Sequence, residues 1–172
     1  MTHAAPTDEA AAPRFLVDGM LGNVARDLRL LGYDAIFGEQ LPDPELLHLA
    51  QNQGRVLLTR DRALARRARD LPCVLLTENA PRRQVLEVLS SLGLGPSPAG
   101  PFSRCLACNG RLVELPAEDA ASAVPDHVTV TAHNFLGCRD CGRVYWPGTH
   151  RTRLQERVRE VLGALLPPRG PV

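Results

Sequence analysis

Between residues 14 and 93 the chain alternates between two textures, and this alternation limits the fold more than any single motif. Short apolar or β-branched runs lie at 14–17 (RFLV), 33–37 (YDAIF), 55–59 (RVLLT) and 72–76 (PCVLL). Segments of helical character follow them, at about 20–31, 44–53, 62–70 and 81–92. In the first, Leu21, Val24, Leu28 and Leu31 recur near a 3.6-residue period, and Gly32 supplies a C-cap. In the second, Pro44 suits the first helical position and Gly54 ends it. Strand then helix, four times over, predicts an α/β fold: a parallel sheet with helices on both faces, because parallel strands need crossover connections. If the first and third strands are neighbours, the order is 2-1-3-4. A ligand site then belongs outside the carboxyl ends of the strands, at the switch point.

The flanks read differently. Residues 1–13, small and polar with an acidic pair, read as a disordered leader, having neither the basic nor the apolar region of a signal peptide. Residues 14–93 form the α/β domain, and the Gly/Pro-rich stretch 94–101 is a linker. A cysteine-bearing module spans 102–149, with strand-like pieces at 111–115, 127–131 and 143–146. A last helix, about 150–166, places Val158, Val161, Leu162 and Leu165 on one side. The tail PPRGPV cannot be helical. No apolar run reaches the roughly 18 residues of a membrane span, so a cytoplasmic, non-membrane protein is expected.

Cys105, Cys108, Cys138 and Cys141 form two C-x-x-C pairs, with 29 residues between Cys108 and Cys138. Without an export signal, such pairs point to metal rather than disulfides. Each knuckle presents two thiolates to one tetrahedral ion, and Asn109, Gly110 and Gly142 permit the tight turns. Four protein ligands close the coordination sphere, so structural zinc is expected. Cys73, inside an apolar run, reads as a small buried hydrophobe.

Acids stand where the strands end. Asp18 follows FLV, Asp61 follows LLTR, Asp43 lies beyond the second strand and Glu78 beyond the fourth. An unpaired carboxylate at a buried strand end is costly, which favours a functional role for Asp18. Asp61 and Asp43 each precede a helix and serve equally as N-caps. Clustered carboxylates attract Mg²⁺ or Mn²⁺, which activate water and stabilise phosphoryl displacement. Arg60, Arg62 and Arg66 lie beside Asp61, and guanidinium forks match phosphate geometry. The chain is +1 overall, so this basic stripe implies local handling of a polyanion rather than a global nucleic-acid charge. All 20 basic residues are arginine, which removes any mechanism that needs lysine. A phospho-accepting receiver domain, the other fold with acids at these strand ends, uses a lysine after the last strand.

The segments FLVDGMLGNVARDLRLLGYD, PDPELLHLAQNQGRVLLTRD, RCLACNG and CRDCGRVYWPGTH together resemble the Mut-seven C-terminal ribonuclease domain family, over about Phe15 to His150. The resemblance implies a PIN-like nuclease domain followed by a zinc ribbon, and metal-dependent RNA cleavage. It carries the catalytic, Mg²⁺- or Mn²⁺-binding role onto Asp18, Asp43 and Asp61, and zinc ligation onto the four cysteines. Arg60 matches the family's arginine in TRD. Where many relatives have an aromatic residue this chain has Asp27, and Glu78 is only a positional match for a fourth acid. On this reading the ribbon and last helix position the RNA, with Tyr145 and Trp146 either stacking or packing in the core, and His150 is a packing or helix-start residue. The alternative is a non-catalytic RNA-binding or ribosome-associated adaptor.

Overall fold

The computed structural model describes residues 12–165. Most of the expected leader and the PPRGPV tail lie outside the described residues. Four strands, β1 (Phe15–Asp18), β2 (Ala35–Gly38), β3 (Val56–Thr59) and β4 (Cys73–Leu75), form one parallel sheet. Their order is β2-β1-β3-β4, as the alternation predicts. The connecting helices are α1 (Gly22–Leu30), α2 (Asp43–Gln53) and α3 (Arg62–Arg67), and α4 (Pro81–Ser91) follows β4.

The two central strands, β1 and β3, are largely buried on both faces, and their side chains alternate between two cores. Phe15, Val17 and Leu58 face Val24 and Leu28 of α1 and Val85, Val88 and Leu89 of α4. Leu16 and Leu57 face Leu46 and Ala50 of α2 and Leu64 of α3. The last helix, α7 (Thr149–Leu165), joins the first core through Val158 and Val161. It is tied down by Arg157 with Asp27 and by Arg82 to Glu160 at 3.2 Å. Asp27 is thus one anchor of α7.

Beyond the parallel sheet, β5 (Leu112–Leu115), β6 (Phe135–Cys138) and β7 (Val144–Tyr145) make a three-stranded antiparallel sheet. The strand expected at 127–131 is instead part of a helix, α6 (Asp126–Thr131), preceded by the short α5 (Ala117–Ala120). The β-branched VTVT favours a strand locally, but Pro125 opens the helix from its N-cap position. Val128 then buries with Ala120, Val124, Ala132 and Phe135 in a small separate core. The missing middle strand is supplied by 135–138, an apolar run that ends in a zinc-ligand candidate.

This second sheet docks at the amino edge of the parallel sheet. The Asn109 side chain accepts from the Ala35 amide at 2.9 Å and donates to Asp34 at 2.8 Å. Asn109 itself takes φ 73, a conformation that asparagine tolerates better than most residues. The Phe102 amide donates to the Leu30 carbonyl at 3.1 Å, and the Tyr33 hydroxyl to the Gly95 carbonyl at 2.6 Å. Gly32, at φ 90, is needed here twice over: a Cβ would stand 2.1 Å from the Gly100 carbonyl oxygen.

Candidate functional site: an acid edge and a cysteine quartet

The topology delivers Asp18, Asp43, Asp61 and Glu78 to the carboxyl edge of the sheet, each at or after the end of a different strand. Adjacent strands β1 and β3 bring two of them into one hydrogen-bond chain. The buried Thr59 hydroxyl donates to Asp18 Oδ2 at 2.7 Å and accepts from the Asp61 amide at 2.9 Å. The second bond is a side-chain turn two residues long, of the kind serine and threonine form. Thr59 is therefore the link that the sequence reading omitted. Its signal was present: a hydroxyl at the end of an apolar strand, two residues before an acid.

Asp61 also caps α3. Its Oδ1 accepts from the Ala63 amide at 2.6 Å and the Leu64 amide at 3.2 Å. Both cap bonds go to that one oxygen, and Asp61 is an exposed residue. Capping and ligation are thus compatible in Asp61.

Asp43 behaves otherwise. The expectation that it caps α2 is corrected: Pro42 occupies the N-cap position and Asp43 is the first helical residue. Its carboxylate pairs with Arg67 of α3 at 2.7 Å, with both side chains nearly half exposed. Arg60 reaches across to the Asn79 side chain, while Arg62 and Arg66 lie exposed on α3. Glu78 stands 4.0 Å from Arg83, and its amide donates to Glu87 at 3.0 Å. Glu87 also accepts from the Thr77 amide and hydroxyl, at 2.9 and 2.7 Å, and so holds the loop after β4. Burial opposes ionisation of Glu87, but these bonds and Arg60 outweigh it and keep the carboxyl below its usual range.

The cysteines converge fully. Their four sulfurs lie within 4.8 Å of one another, with Cys105 to Cys141 at 3.6 Å and Cys108 to Cys138 at 3.4 Å. Tetrahedral zinc with bonds of about 2.3 Å sets its sulfurs roughly 3.8 Å apart, so the spacing fits. The chemistry fits as well. Burial and the neighbouring thiols push Cys108 up to about 12, while at Cys105 burial is outweighed by hydrogen bonds from Tyr145 and backbone amides, which bring it down to about 6, so ionisation of all four together is opposed without a cation. Gly110 leaves the room the site needs, since a Cβ there would meet Cys138 Sγ at 2.9 Å. The Tyr145 hydroxyl lies 3.1 Å from Cys105 Sγ, an outer partner of the kind that orients ligands. Arg29 of α1, buried, donates to the Leu106 and Ala107 carbonyls inside the first knuckle at 3.1 and 2.9 Å. Cys73 is half-buried and outside the quartet, and burial raises its thiol.

Among the described residues, the cysteines are the group of three or more potential ligands gathered at metal-binding spacing; the aspartates do not close to that distance. No helix among those residues is long and apolar enough to cross a membrane.

Comparison with known proteins agrees with this architecture. The Exonuclease mut-7 homolog of Homo sapiens is 34% identical over 115 residues, which are 62% of this chain and 13% of the human protein. The chain thus spans a small part of that relative's length. No solved structure matches. The family described as Mut7-C RNAse domain matches residues 13–158, from the residue before β1's leading arginine into α7 and across both sheets. The chain belongs to the Mut7-C RNAse domain family.

Proposed function

We propose that this chain is a metal-dependent ribonuclease that hydrolyses RNA phosphodiesters at the carboxyl edge of its parallel sheet. Family membership supports a nuclease-like function, and the observation that carries the site assignment is the Asp18–Thr59–Asp61 hydrogen-bond chain. Asp18 and Asp61 would hold the divalent ion, with Asp43 completing the set once Arg67 releases it. Their oxygen donors on adjacent strands suit Mg²⁺ or Mn²⁺. Bound there, such an ion supplies a water of lowered pKa and positive charge opposite the phosphate.

The protein's own residues do the rest. Thr59 fixes the Asp18 carboxylate by donating to one oxygen. The Asp61 cap fixes its carboxylate against the first turn of α3. Arg60, Arg62 and Arg66 offer phosphate contacts beside these acids. In the reaction, a water oxygen bonds to phosphorus and gives up a proton to solvent, the ester P–O bond breaks, and the departing oxygen takes up a proton from solvent. Zinc held by the four cysteines would have no open position and would be structural.

A second reading, an RNA-binding adaptor without turnover, is favoured by one observation: the Asp43 carboxylate is engaged by Arg67. Labelled single-stranded RNA with Mg²⁺ or Mn²⁺, wild type beside Asp18→Asn, decides between them. Cleavage by the wild type alone is expected. RNA binding by both proteins and cleavage by neither would establish the adaptor.

A further inference from the structure

The antiparallel sheet and the start of α7 enclose a cleft of about 410 Å³, well apart from the acid edge. Leu112, Leu136 and Leu154 give it apolar walls, and Phe102, Tyr145 and Trp146 add aromatic faces. The charged residues that line it are both arginines: Arg104, which lies 3.9 Å from the Asp34 carboxylate, and Arg151. The Arg151 guanidinium lies over the Phe102 ring, 5.3 Å from its centroid, which fixes a positive charge at the aromatic wall.

We propose that this cleft binds one unstacked nucleobase of single-stranded RNA, with the adjoining phosphate on Arg151. Aromatic rings accept any base by stacking, and a guanidinium pairs with phosphate. The volume is ample for a base with its ribose. An apolar peptide would use the walls but bring no anion to Arg151, whereas a nucleotide uses both. The inference rests on the nuclease reading above for its choice of RNA.

Its position makes it a holding site, remote from bond breaking. Phe102 bonds to the end of α1, and Arg104 lies 3.9 Å from Asp34, both at the amino edge of the sheet. The acids sit at the other edge, three residues along β1, or roughly 10 Å at 3.3 Å per residue. RNA held in the cleft must therefore run across the molecule to reach Asp18.

Trp146 is the chain's single tryptophan, so its emission reports on the cleft. Single-stranded adenine homopolymer is titrated into the full-length Asp18→Asn protein, and fluorescence is read beside the anisotropy of labelled RNA. Saturable quenching is expected. Trp146→Ala should weaken RNA binding roughly ten-fold, the effect of losing one stacked base. Arg151→Gln should weaken it too and reduce the salt dependence by about one phosphate contact. Arg151 is a partly exposed residue, so that variant decides the matter if Trp146→Ala fails to fold. RNA binding with unchanged emission, and unchanged affinity in both variants, would overturn the cleft while leaving the nuclease reading intact. Quenching by RNA in a wild-type protein that never cleaves would overturn the nuclease reading and keep the cleft. A wild type that binds no RNA would overturn both.

Discussion

Replacing Thr59 by valine keeps the shape of a fully buried side chain and deletes one hydroxyl. That hydroxyl serves two acids. A hydrogen bond to a carboxylate contributes about 1.5–3 kcal/mol, and the one to Asp18 is short, at 2.7 Å. The Asp61 amide also loses its acceptor, but Asp61 is exposed and water can replace it at small cost. The added methyl recovers less than about 1 kcal/mol of apolar burial. The balance is a destabilisation of about 2 kcal/mol. At ~2–4 °C per kcal/mol for a chain of this size, the melting temperature should fall by about 4–8 °C. Cleavage should fall further than stability explains, because the Asp18 carboxylate is then free to rotate. Thermal melts and the RNA assay on Thr59→Val and Thr59→Ser read both effects, with serine expected to restore each. A valine variant that melts within a degree of wild type and cleaves at full rate would refute the coupling of Asp18 to Asp61 through Thr59.

Freshly purified protein should contain one zinc per chain by elemental analysis, and Cys138→Ser should lose it; zinc-free protein with two disulfides by mass spectrometry would contradict the site. Arg67→Ala should leave stability within about 0.5 kcal/mol, since the pair with Asp43 is exposed, and should enlarge the Mn²⁺-induced rise in melting temperature by freeing a ligand. An unchanged or smaller Mn²⁺ shift would remove Asp43 from the metal set. Glu87 has a folded pKa below its ordinary 4.5, so its stabilisation is present above that pH and is lost as pH falls through the folded value. The melting-temperature gap between wild type and Glu87→Gln should therefore be open at pH 6 and close below about pH 4.5; a gap that widens in acid would reverse the sign.

The parallel sheet was legible because period and punctuation agree over its whole length. Leu21, Val24 and Leu28 carry a helical period, Gly32 and Gly54 stop helices, and three of the four apolar runs end at a polar residue, the second at Gly38. The order 2-1-3-4 needed one further assumption, that the first and third strands are neighbours, which brings Asp18 and Asp61 to a common edge. The cysteine module was less readable. Its four ligands announced themselves by spacing, but VTVT at 128–131 has strand character and forms helix because Pro125 and a local core outweigh propensity. Asp43 failed as a cap for a physical reason of the same kind. Two prolines flank it, and Pro42 takes the N-cap position, which leaves the carboxylate to Arg67 on a neighbouring helix. Contacts such as Arg67 with Asp43 or Asn109 with Asp34 join positions 24 and 75 residues apart, and no local pattern encodes them.

The placement of the cysteine module changes how the molecule's two halves relate. It docks on Asp34, Ala35 and the end of α1, at the amino edge, while the acids stand at the carboxyl edge. A ribbon at that end cannot complete the acid site, so any effect of zinc on cleavage must pass through the sheet or through the RNA. One route through the protein is visible. Arg29 spans the junction, donating to Ala35 at 2.8 Å and to two carbonyls of the first knuckle. Burial lowers its pKa, and the Cys105 and Cys108 thiolates are the strongest influences opposing that loss, ahead of Asp34. Four thiolates around one zinc would carry two net negative charges, so a zinc held there would also act as counter-ion to a buried arginine of α1. Removing zinc would favour protonation of Cys108 and Cys138, whose thiols are raised, while Cys105, lowered to about 6, keeps its charge; Arg29 would lose part of the negative charge it faces and keep its three carbonyl bonds. The sheet's amino edge and the ribbon are therefore expected to loosen together, with Asp18 and Thr59, three residues further along their strands, the last part of the sheet to feel it.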